Sequence, residues 1–138
     1  MHRYLIVANK TLLDDHLLDR VRECLAAGRC QFHLVVPATH APGRAAQLDQ
    51  RDRAFAEARL RDGLERFRAI GADVEGEVGD PRPLDAIRDV LRHAPPFDEI
   101  IISTLPPGAS RWLRQDLPHR VHRAFEIPTS TLYARAAA

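Results

Sequence analysis

Lysine is nearly missing from this chain. Lys10 is the one lysine among 20 basic residues, and the rest are arginines. A bias of that size reflects genome composition more readily than a binding role. The basic residues face 19 Asp and Glu, leaving a net charge of +1. That balance does not call for the broad cationic surface of a nucleic-acid or anionic-membrane binder, so neither partner is expected. Cysteine is scarce too. Cys24 and Cys30 cannot build a disulfide framework; Cys24 falls on a helical apolar face and Cys30 just before a strand, so both read as reduced structural thiols. No apolar run approaches ~18 residues and no signal-peptide pattern is present, so no membrane span or secretion is expected and the location expected is cytoplasmic. P-loop, nucleophile elbow and Ser-His-Asp order are all missing, so no catalytic residues are assigned and no enzyme is expected.

What is there reads as one domain over residues 1–138. The composition is 45% hydrophobic and 28% charged, ordinary for a globular protein with one substantial core. Arg3 to Ala8 is apolar almost throughout and reads as a central strand. Thr11 is an N-cap candidate, with Asp14 three residues on in capping-box fashion. Leu13, Leu17, Val21 and Cys24 then recur at helical spacing, and Gly28 closes the helix. Gln31 to Val36 is a second strand, followed by a Pro/Gly loop over 37–44. A long helix is expected from about Ala45 to Ile70, with Leu48, Phe55, Leu60, Leu64, Phe67 and Ile70 as its apolar stripe. Its charged face carries Asp49–Arg53, Glu57–Arg61 and Asp62–Arg66 at i,i+4 and reads as solvated. Asp73 to Val78 alternates like a half-buried edge strand. A Gly79-Asp80-Pro81 turn leads to a third helix on Leu84, Ile87 and Leu91, which ends before Pro95-Pro96.

The stretch from Phe97 to Arg120 organises the rest. Glu99-Ile100-Ile101-Ile102 suits a strand buried on both faces. It breaks at Ser103-Thr104-Leu105-Pro106-Pro107-Gly108, and helix resumes after it. Pro128 to Leu132 is a short last strand, and 134–138 a frayed tail. Alternating strands and helices give a parallel sheet with helices on both faces. The fold class expected is therefore α/β, a single-domain Rossmann-like three-layer sandwich with a five-stranded parallel sheet of order 3-2-1-4-5 and four helices. A crevice should open beyond the first and fourth strands, at Asn9-Lys10 and Ser103-Thr104.

Several segments resemble the universal stress protein family. RYLIVANK looks like its first strand, which normally ends in Asp where Asn9 stands here. VEGEVGDPRPLDAI looks like its third strand and Gly-Asp-Pro turn, DEIIISTLPPGASRWLRQDLPHRV like its fourth strand and nucleotide loop, and IPTSTLY like its last strand. The resemblance implies a Rossmann-like domain of the adenine nucleotide alpha hydrolase-like superfamily, often a homodimer through the last strand, here Pro128–Leu132. It also implies, in many members, ATP or another adenine nucleotide as ligand. ATP-binding members carry Gly-x-x-Gly, nine residues, then Gly-Ser or Gly-Thr. Here Ser103 and Pro106 replace the first two glycines, Gln115-Asp116 stands for Gly-Ser, and the loop is one residue shorter. Pro106 and Pro107 donate no N–H and cannot take positive φ. Asp116 would repel a phosphate, whereas as an N-cap it stabilises a helix by ~1 kcal/mol.

Two binding readings stand side by side, with an enzyme acting on a phosphorylated or adenylated substrate as a less supported third. One is a regulatory module of the stress-response type, homodimeric, without Gly-rich-loop ATP binding. The other is a nucleotide or phosphate-ligand binder using the altered loop, with Asn9, Lys10, Val36, Gly79, Asp80, Ser103, Thr104, Gly108, Ser110, Arg111 and Asp116 lining the crevice. Retained binding would require the Ser103 and Thr104 hydroxyls to replace the missing glycine N–H groups. Ser103, Thr104, Gly108, Ser110 and Arg111 could hold an anion, or form a capped loop with Ser110 as N-cap of a short helix Arg111–Arg114. Trp112 could stack on a ligand ring or belong to the core. His119 and His122 lie at i,i+3, but no third ligand has defined spacing, so no metal is assigned.

Overall fold

A computed structural model of the chain describes residues 1–38 and 50–134. Five stretches form strands: β1 (His2–Val7), β2 (Cys30–Pro37), β3 (Val74–Gly79), β4 (Glu99–Thr104) and β5 (Thr129–Tyr133). All neighbours pair parallel, in the order β3-β2-β1-β4-β5. The apolar runs explain the order, because a central strand is buried on both faces. Leu5 and Val7 enter one layer and Ile6 the other; Ile100 and Ile102 oppose Ile101 in the same way. The register sets Ile6 beside Ile101 and Val7 beside Ile102. No β5 residue is fully buried and only Val74 is in β3, as edge positions allow.

Among the described residues five helices cover the sheet. α1 (Asp15–Ala27) and α2 (Gln50–Ala69) lie on one face; α3 (Pro83–His93) and α5 (Leu117–Phe125) lie on the other, with the single turn α4 (Arg111–Arg114) leading into α5. One core layer packs Leu17, Val21 and Phe67 on Ile6, Leu34 and Ile101; the other packs Ile87, Val90 and Val121 on Leu5, Val35 and Ile102. Each such fully buried side chain contributes about 1.5–3 kcal/mol of transfer free energy. Tyr4 stacks on Phe32 with ring centroids 5.3 Å apart. Cys24 and Cys30 are free and buried, and burial pushes both thiols up from their ordinary range. Among the described residues no helix is long and apolar enough to cross a membrane.

Several local expectations change. Four helices become five because Asp116 takes a left-handed conformation, φ 55°, which splits the last helical region. Asp116 stands at the N-cap of α5, but its side chain makes no capping bond. Side-chain capping needs an extended N-cap backbone, which φ 55° forbids. Thr11 is not the cap of α1 either: the helix begins at Asp15 after Asp14, which makes no side-chain cap, and the Thr11 hydroxyl is bonded elsewhere. Leu13 therefore precedes the helix and is exposed. Phe55 points outward, 64% exposed, because α2 buries Asp52, Ala56, Gly63 and Phe67 instead. Leu12 fills the space that a Cβ on Gly63 would need. Arg66 reaches Asp15 at 2.7 Å and the Leu13 carbonyl, joining α2 to the start of α1. The expected loop over 39–44, the helix start at Ala45, Leu48, the Asp49 partner of Arg53 and the tail 135–138 lie outside the described residues.

Candidate functional site

β1 and β4 are neighbours, but β1 continues to β2 on one side and β4 to β5 on the other. The chain leaves the C-terminal ends of these two strands in opposite directions, and a cleft of about 190 Å³ opens there. Asn9, Lys10 and Thr11 line it from the end of β1. Ser103 and Thr104 line it from β4, and Leu105, Ala109, Ser110, Arg111, Trp112 and Arg114 from the loop and α4. Of the residues expected at the crevice, Asn9, Lys10, Ser103, Thr104, Ser110 and Arg111 come together. Val36, Gly79, Asp80, Gly108 and Asp116 are not among the lining residues.

The floor is a set of buried hydroxyls that satisfy one another. Ser103, Thr11, Ser110 and Thr104 are all buried. Thr11 Oγ1 and Ser103 Oγ lie 2.6 Å apart, and His16 Nε2 is 3.1 Å from Ser103 Oγ. Thr104 Oγ1 and Ser110 Oγ lie 2.5 Å apart, while Ser110 Oγ also accepts the Leu113 N–H at 3.1 Å and so caps α4 as expected. These bonds tie the end of β1, the first turn of α1, the end of β4 and α4 into one unit. Asn9 is a brace as well: its Nδ2 donates to the Pro37 carbonyl at 2.6 Å, and Arg59 donates to its Oδ1.

The backbone of the loop is turned inward. Ala109 and Ser110 N–H both donate to the Pro106 carbonyl, at 3.1 and 3.2 Å. Gly108 allows this turn with φ 92°, a conformation that L side chains rarely adopt. Pro106 and Pro107 have no N–H to offer. Loop positions 106, 107, 109 and 110 thus have no free N–H to present to a phosphate.

The rim of the cleft carries positive charge. Lys10, Arg111 and Arg114 are exposed around the cleft, and among the described residues none has an ion pair. Several other arginines are held by acids on their own helix, as in Arg22–Asp19, Arg88–Asp85 and Arg92–Asp89. Trp112 is half-buried, packed on the core layer of Leu5 and Val121 on one side and bordering the cleft. Sequence reasoning missed Thr11 and Arg114 as lining residues. Thr11 looked like a cap, and an exposed arginine in an arginine-rich chain carries no local signal.

Gly79 and Asp80 have structural work of their own. A Cβ on Gly79 would sit 2.8 Å from Ala86 Cβ and 3.0 Å from Val35, so glycine is needed where β3 meets α3. Asp80 accepts the Arg82 backbone N–H at 2.8 Å and its side chain at 3.2 Å, and the Arg82 guanidinium holds its carboxyl below the usual range. Among the described residues, no three His, Cys, Asp or Glu side chains gather as a metal site.

No family model matches the chain, and no curated protein matches it. Solved structures do. The structure of a universal stress protein from Archaeoglobus fulgidus matches over 95% of this chain and 93% of its own, with a TM-score of 0.65 at 17% identity. The fold is that of the universal stress proteins. A second neighbour, a universal stress protein crystallised in complex with cAMP, matches over 98% of this chain and all of its own, with a TM-score of 0.56 at 19% identity. At those identities the likeness is one of fold. The likeness covers the five-stranded sheet, while the cleft, the proline loop and the arginine rim are read from this chain itself.

Proposed function

We propose that this chain is a regulatory binding module which takes a small anionic ligand carrying a flat ring, of the adenine-nucleotide class, in the β1/β4 cleft. One observation carries the reading: three exposed cations without ion pairs among the described residues, Lys10, Arg111 and Arg114, line a cleft bordered by one indole, Trp112. Guanidinium groups match phosphate oxygens bidentately, and the indole offers a stacking face. The cAMP complex of a fold neighbour supports the ligand class. Contacts to phosphate come from side chains instead of glycine N–H groups, which sets this site apart from Gly-rich-loop ATP binding. The buried hydroxyls form its floor.

A homodimer through β5 belongs to the same reading. That strand pairs with β4 on one side only, and Tyr133 at its end is 48% exposed. The reduced, buried thiols fit a cytoplasmic location.

The test is a thermal-shift series with ATP, ADP, AMP and cyclic AMP, with and without Mg²⁺. A ligand at 100 times its dissociation constant adds about 2.7 kcal/mol, enough to move the midpoint by several degrees. A shift with one nucleotide that disappears in Arg111→Gln/Arg114→Gln supports the site. The absence of any shift at millimolar nucleotide overturns the ligand class. Light scattering decides the oligomeric state separately.

A further inference from the structure

The one lysine of the chain falls in the cleft. The other 19 Lys or Arg positions hold arginine, yet an exposed position after β1, on the same cleft as Arg111 and Arg114, holds Lys10. Arginine supplies charge and a bidentate fork, but it stays protonated and is no nucleophile. What lysine adds is an amine that attacks carbonyl carbon when deprotonated. Lys10 has no ion pair among the described residues to hold it away from the cleft.

We propose that Lys10 is a site of covalent acylation by acyl phosphates, small mixed anhydrides of a carboxylic acid and phosphate. The site rests on the anion-binding reading above: Arg111 and Arg114 hold the phosphoryl group, which brings the acyl carbon to Nζ. The ammonium first releases a proton to water. Nζ then attacks the acyl carbon, a C–N bond forms, and the bond from acyl carbon to bridging oxygen breaks. Phosphate leaves with that electron pair and takes up one proton, while the nitrogen gives another to water and becomes the amide. The balance is acyl phosphate dianion plus lysine ammonium to amide, hydrogen phosphate dianion and one proton. Holding the reactants together raises their effective concentration, so this amine reacts ahead of an unassisted one. Acylation also removes one of the three rim cations and so weakens the cleft for the next anion.

The test incubates the full chain with acetyl phosphate and follows acetylation by peptide mass spectrometry. The chain's terminal amine serves as internal reference, since Lys10 is the only side-chain amine. Relative to the terminus, Lys10 should be acetylated about tenfold or more faster in wild type than in Arg111→Gln/Arg114→Gln. Added inorganic phosphate should slow Lys10 in wild type to its rate in that variant and leave the terminus unchanged. The N-hydroxysuccinimide ester of acetic acid, which has no phosphoryl group, should label Lys10 equally in wild type and variant. An unchanged ratio of Lys10 to terminal acetylation in the variant overturns the proposal. Phosphate and AMP binding, followed in parallel by Trp112 fluorescence, separates the two failures. Binding without Lys10 selectivity overturns acylation alone, and loss of both overturns the anion site with it.

Discussion

Ser103→Ala is the substitution whose cost follows most directly from the geometry. The Ser103 hydroxyl is buried and meets Thr11 Oγ1 at 2.6 Å and His16 Nε2 at 3.1 Å. Alanine fills nearly the same space, so cavity formation adds little. The cost comes from two partners that each lose a hydrogen bond where water has little access, at about 1 kcal/mol or more apiece. We expect about 2–3 kcal/mol in total. An unfolding entropy of about 2.1 cal/mol/K per residue makes 1 kcal/mol worth roughly 3.5 °C in a chain of 138 residues. Ser103→Ala should therefore lower the ligand-free melting midpoint by about 7–10 °C in scanning calorimetry. Thr11→Val breaks only one of the bonds and should cost about 1 kcal/mol. In the double variant two apolar groups face each other, so the combined cost should fall short of the sum by about 1 kcal/mol. A Ser103→Ala protein melting within about 1 °C of wild type would refute the view of these hydroxyls as a satisfied, stabilising floor.

Other outcomes follow from separate parts of the molecule. Gly79→Ala places a Cβ 2.8 Å from Ala86 and should destabilise by about 1–3 kcal/mol, read from urea unfolding; an unchanged midpoint would contradict the close packing of β3 on α3. His33 and His93 both meet Glu77 Oε2 at 2.9 Å, and the Glu77 carboxylate raises His93 above its ordinary value of 6.5. Because the folded value is raised, this contribution to stability is complete below the unfolded value and is lost as pH rises through the folded one. Glu77→Gln should flatten that part of the profile of melting midpoint against pH, and identical slopes in both proteins would contradict it. Cys24 and Cys30 should resist a thiol-specific reagent at neutral pH until the chain unfolds, since burial raises both thiols; rapid native labelling would contradict their burial.

The sheet was legible in the sequence because burial writes itself into composition. Arg3 to Ala8 and Glu99 to Ile102 are apolar on both alternating faces, which is a requirement of central strands, and the strand order follows from that and from the helical connections. Half of the cleft was legible for the same reason: residues following the ends of β1 and β4 must meet at the switch point. The parts that were not legible depend on tertiary partners. Asn9 reads as a ligand contact until Pro37 and Arg59 are seen to occupy its amide. Thr11 has the spacing of a cap, yet a serine 92 positions away takes its hydroxyl. Asp116 is a favourable capping residue by type, but its positive φ turns the side chain from that role. Nothing in the local pattern distinguishes Arg114, on the cleft, from arginines paired along α1 and α3. Lys10 is the reverse case, conspicuous in composition before its position gives that a meaning.

The cleft is tested most directly by a fluorescence titration, because Trp112 is the chain's only tryptophan. AMP and cyclic AMP should each be added to wild type and to Arg111→Gln/Arg114→Gln. The account predicts a saturable change in Trp112 emission for at least one of them, with affinity about tenfold or more weaker in the variant, equivalent to about 1.4 kcal/mol. No change up to millimolar nucleotide, or equal affinity in the two proteins, would contradict it.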